Sequence, residues 1–89
     1  MKIYANIDID GIRDKISQDP RFEVLGISVY DDKIEFLVRL QNRRNTAGFR
    51  LIREIAKRMG ARDGYLKADD YENLTYRFVF TKRYTERDV

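Results

Sequence analysis

Eight basic side chains crowd residues 39 to 62: Arg39, Arg43, Arg44, Arg50, Arg53, Lys57, Arg58 and Arg62 stand there against one acid, Glu54. The rest of the chain is acidic, with 10 basic residues facing 14 acids. Arginine and lysine at this density suit phosphate oxygens, which give affinity without sequence preference. Arg43, Arg44 and Arg50 fall at the start of a predicted helix, where backbone N–H groups also favour an anion. The sequence therefore points to a nucleic-acid site made of Arg43, Arg44, Arg50, Arg53, Lys57 and Arg58 that binds without catalysis. The competing reading is a solvated helix face whose charges pair with the acidic remainder of the chain or with an acidic partner.

Carboxylates form the second chemical class. Asp8 and Asp10, Asp31 and Asp32, and Asp69 and Asp70 occur as close pairs. Such a pair can hold a hydrated Mg²⁺ for phosphoryl chemistry, which makes Asp8 or Asp10 the candidate of a nuclease-like enzyme. The structural alternative is that Asp10 caps the first helix and the other pairs serve turns. On that alternative the chain has no metal site and no cofactor.

Several chemistries are closed by composition. With no cysteine and no histidine, thiolate nucleophiles, disulfides and Cys/His zinc sites are excluded, and the commonest general base near neutral pH is missing. Catalysis would have to rest on Asp, Glu, Lys, Arg or Tyr, which makes an enzyme the less favoured reading. At 89 residues the chain fits one domain, 1–89, with a thin stability margin that self-association as a homodimer would widen. No apolar run approaches the length of a signal peptide or membrane span, so the expected location is the cytoplasm.

These side chains need elements to position them. Residues 2 to 9 alternate, with Ile3, Ala5, Ile7 and Ile9 on one side, which predicts a strand. Ile12, Lys15 and Ile16 then recur at helical spacing until Asp19-Pro20. Residues 22 to 30 and 33 to 41 read as a hairpin turning at Asp31-Asp32. Thr46 to about Met59, ended by Gly60, is the clearest helix, with Leu51, Ile52, Ile55, Ala56 and Met59 on one stripe. Tyr65 to Lys67 could begin a short strand, and Leu74 to Thr81 alternate as the last one. Residues 83–89 carry no period and read as a mobile tail.

The order βαββαβ, with an extra short strand before the last, predicts an α+β two-layer sandwich of ferredoxin-like type. Its helix-covered face would hold Ile3, Ile7, Ile27, Ile34, Phe36, Phe78 and Phe80. In the RNA-recognition fold of the same strand order, the open face stacks bases on aromatics of two central strands. Ile3-Tyr4-Ala5-Asn6-Ile7 resembles that family's first motif but is one residue short. The third strand presents Lys33, Glu35, Leu37 and Arg39 where aromatics are needed. Leu37 and Val79 on that face instead suggest packing against another subunit. Separately, Gly48-Phe49-Arg50, Ala56, Gly60 and Gly64-Tyr65-Leu66-Lys67 resemble the loop, helix and following strand of acylphosphatases. The resemblance implies an acyl-phosphate loop, but Ala68-Asp69-Asp70 stands where that family has its asparagine.

Three functional readings follow. The first is a small module contacting nucleic-acid phosphates through residues 43–58. The second is an assembly subunit that homo-oligomerises through its sheet and binds an acidic partner. The third is the Mg²⁺-dependent enzyme.

Overall fold

The computed structural model describes residues 1–41 and 46–88, and for Thr46 and Ala47 the backbone alone. It shows an α+β chain of two helices and two sheets, in the order β1 (Lys2–Tyr4), α1 (Ile9–Ser17), β2 (Phe22–Val29), β3 (Lys33–Leu40), α2 (Thr46–Arg58), β4 (Asp63–Asp70), β5 (Thr75–Thr81) and β6 (Tyr84–Glu86). No helix among the described residues is long and apolar enough to cross a membrane.

The main sheet has the order β2-β3-β5-β4 and every neighbouring pair is antiparallel. Cross-strand partners share a face of the sheet, so the register reads directly as a core. Ile34 lies opposite Phe80, Phe36 opposite Phe78 and Val38 opposite Tyr76, and all six are buried. Phe36 meets Phe80 edge-on at 5.9 Å, and Phe22 meets Phe78 at 5.7 Å. Ile12 and Ile16 of α1 with Ile52 and Ile55 of α2 close this face, α1 along β2 and α2 along β4. Each helix thus covers one edge strand, and the second strands of two hairpins meet at the centre.

This arrangement departs from the ferredoxin-like expectation at β1. That order would place β1 inside the main sheet, but a strand has only two hydrogen-bonding edges, and both edges of β3 and of β5 are taken. β1 pairs with β6 instead, as a separate two-stranded ribbon. Ile3, expected in the core, is consequently 38% exposed. The segment 83–89, read as a tail, contributes β6. The short strand expected at Tyr65 to Lys67 is a full eight-residue edge strand, β4.

The helix termini follow ordinary capping chemistry. The Asp8 carboxylate accepts a hydrogen bond from the Gly11 backbone N–H at 3.0 Å, so Asp8 rather than Asp10 is the N-cap and α1 begins at Ile9, inside the run expected to be strand. Local capping outweighs two-residue alternation because a three-residue strand has little ladder to lose. At the other end of α2, Gly60 takes φ +69°, the left-handed conformation that lets the chain leave the helix at no steric cost.

Candidate nucleic-acid interface

The buried stripe of α2 decides where its charges point. Ile52, Ile55 and Ala56 are buried and Leu51 and Met59 pack at the margin of the core, which leaves Arg50, Arg53, Glu54, Lys57 and Arg58 exposed. Residues one turn apart share a flank. Arg53 and Lys57 lie on the flank toward β4, and Glu54 and Arg58 on the flank toward α1.

On the β4 flank a hollow of about 400 Å³ is lined by Arg53 and Lys57, by Arg62 of the turn after α2, by Asp63 and Tyr65 of β4 and by Arg83 at the approach to β6. Four cations from three separate segments converge there against one carboxylate. That carboxylate, of Asp63, accepts from the Gly64 backbone N–H at 2.8 Å. Arg83 Nε donates to the Gly60 carbonyl at 3.0 Å, tying the ribbon to the end of α2. The Arg62 backbone N–H donates to the Thr81 carbonyl at 2.9 Å. Among the described residues, none of Arg53, Lys57, Arg62 and Arg83 forms an ion pair.

Aromatic rings continue this surface onto the ribbon. The Arg62 guanidinium sits 5.3 Å from the centre of the Tyr84 ring, and the Lys2 ammonium sits 4.7 Å from it. Tyr4 meets the same ring edge-on at 5.8 Å. A guanidinium and a ring held together in this way can stack with bases while the neighbouring cations take phosphates.

The six residues expected from sequence therefore separate. Arg53 and Lys57 enter the hollow. Arg58 faces away and pairs with Glu54 at 3.1 Å, beside a groove of about 540 Å³ between the helices whose floor is Leu51, Ile55, Met59 and Pro20. Arg50 is exposed and lines neither hollow. Arg43 and Arg44 lie outside the described residues. Arg62, Arg83, Tyr65, Tyr84 and Lys2 were not singled out from sequence. Arg62 is visible in the charge count, but Arg83 and Tyr84 stand in the segment without a period, and their role depends on a pairing across some eighty residues of chain.

The outer face of the main sheet carries a different arrangement. Glu35 is only 4% exposed, with Lys33 Nζ at 3.1 Å, Arg77 at 3.7 Å and Lys67 at 3.8 Å. The Lys33 ammonium pKa is raised by its hydrogen bond to Glu35. Arg77 Nε also donates to Asp69 at 3.1 Å. Val79, expected to be an exposed contact for another subunit, is fully buried between its cross-strand neighbours Glu35 and Tyr65. Lys33, Lys67 and Arg77 reach across that face to Glu35, and Leu37, the other contact expected there, is half-buried.

Four of the six paired carboxylates have structural partners, while Asp31 and Asp32 stand in the turn between β2 and β3. Asp8 caps α1, Asp10 pairs with Arg13 at 2.9 Å, Asp69 pairs with Arg77, and Asp70 accepts from the backbone of Glu72 and the side chain of Asn73. Among the described residues, no three acids gather as a metal site. Comparison with known protein families, with curated proteins and with solved structures gives no match.

Proposed function

We propose that this chain is a non-catalytic nucleic-acid-binding module whose phosphate site is the hollow of Arg53, Lys57, Arg62 and Arg83, with Tyr65 and Tyr84 supplying surfaces for bases. The observation that carries this reading is the convergence of four cations from three segments without ion-pair partners among the described residues. Like charges lining one hollow repel, and a bound anion relieves that repulsion. Pairing with the chain's own acids accounts for Arg58, which has Glu54, whereas among the described residues no acid pairs with the four cations of the hollow.

Phosphate contacts predict affinity that falls steeply with salt and depends weakly on sequence. The test is fluorescence anisotropy of labelled duplex DNA, single-stranded DNA and RNA over a KCl series. Affinity that drops with salt is the expected result, and absence of binding at low salt overturns the reading. A second reading, an acidic protein partner at the same hollow, is separated in the same assay by polyglutamate as competitor. Displacement by polyglutamate as effective as displacement by nucleic acid of equal charge would favour that partner.

A further inference from the structure

The β1–β6 ribbon is the one sheet in the described residues without a helix against it. A two-stranded ribbon is marginal alone in water, and this one forms a sheet separate from the four-stranded one. Its ladder runs past the strand ends: the Ala5 N–H donates to the Arg83 carbonyl at 2.8 Å, and the Arg87 N–H to the Met1 carbonyl at 3.0 Å. In an antiparallel pair these groups alternate in direction. Residues 1, 3 and 5 therefore spend their backbone groups on β6, and the N–H and C=O of Lys2 and Tyr4 point outward along a free edge.

The other free edges are blunted. β2 is broken by a bulge between Val24 and Gly26, and β4 by one between Ala68 and Asp70, with Asp63, Asp69 and Asp70 along it. For β6, antiparallel self-pairing about Thr85 would set Arg83 against Arg87 of the second copy. β1 has no bulge, no proline and no acid.

We infer that β1 pairs antiparallel with β1 of a second copy about a two-fold axis at Ile3, giving a four-stranded ribbon of order β6-β1-β1-β6. In this register Lys2 faces the second copy's Tyr4 on both sides of the axis, a cation against an aromatic ring and never a like charge. All four outward N–H and C=O groups of each Lys2–Tyr4 rung are satisfied. The two Ile3 side chains meet in the closely spaced non-hydrogen-bonded position at the axis. Met1, 75% exposed, lies on the same face as Ile3 and is drawn toward the new contact. The contact is small, so the dimer depends on concentration.

The test is sedimentation velocity of the full chain from about 1 µM to 1 mM. Wild type should pass from monomer to dimer, and a monomer throughout that range overturns the inference. Ile3→Lys sets two ammonium groups against each other at the axis and should weaken association by more than about tenfold. Mixing it with Ile3→Glu should restore a dimer. Tyr4→Pro removes one outward N–H while leaving every β1–β6 hydrogen bond, so it should also weaken the dimer with an unchanged far-UV circular dichroism spectrum. An Ile3→Lys protein that associates like wild type excludes this register.

Discussion

At the scale of single residues, the hollow beside α2 divides arginines that look equivalent in the sequence. Arg53, Lys57, Arg62 and Arg83 line one hollow, whereas Arg58 already has Glu54. Replacing Arg53, Lys57 or Arg62 with alanine should weaken nucleic-acid binding for all sequences alike and reduce the slope of log affinity against log salt by about one each. Arg58→Ala should change that slope less, and anisotropy titrations over KCl compare the four variants. Acid sensitivity also belongs at this scale. A hydrogen bond from Arg21 holds the Asp19 carboxyl below its ordinary value of 3.8, and hydrogen bonds from Asn73 do the same for Asp70. A carboxylate depressed in the folded state stabilises it above the unfolded value, and that contribution is lost as pH falls through the folded value. The urea midpoint should therefore decline below about pH 4, and Asp70→Asn should make that decline shallower.

At the scale of elements, the approach of α2 to β4 depends on a missing side chain. A Cβ on Gly64 would stand 2.8 Å from Ile52 Cγ2 and 3.1 Å from Ala56 Cβ, both on the buried stripe of α2. Gly64→Ala should push the helix off the strand and destabilise the fold by about 1–3 kcal/mol, measured by urea denaturation. The same variant should loosen the hollow, since Arg53 and Lys57 ride on α2 and Tyr65 follows Gly64. A drop in nucleic-acid affinity larger than the fraction unfolded explains would show that helix position matters as well as charge. The outer face makes the complementary point about elements. Alternation places Lys33, Glu35 and Leu37 on one side of β3, but only the neighbouring strands bring Arg77 and Lys67 to Glu35.

At the scale of the whole molecule, stability is uneven. β3 and β5 are central, paired on both edges, and carry the rungs of buried aromatics, while the ribbon has one ladder and no helix against it. Native-state amide exchange should be slowest in Phe36, Val38, Phe78 and Phe80 and much faster in Ile3 and Thr85. Protection of Ile3 and Thr85 that rises with protein concentration would connect local order in the ribbon to association. The ribbon also carries Tyr84 and adjoins Arg83, so its order bears on the proposed binding surface.

Much of this was legible in the residues themselves. The helix stripe of Leu51, Ile52, Ile55, Ala56 and Met59, its end at Gly60, the hairpin at Asp31-Asp32 and the alternation of Tyr76, Phe78 and Phe80 are local patterns of 3.6 or two residues, and the structure keeps them. The excess of positive charge around α2 is likewise a property of sequence alone. Strand pairing is different, because it is settled by competition for a limited number of hydrogen-bonding edges among segments far apart in the chain. Only the tertiary structure decided that β5 would occupy the free edge of β3, that β1 would be left to β6, and that Arg62 and Arg83 would therefore join Arg53 and Lys57 while Arg58 turned toward α1.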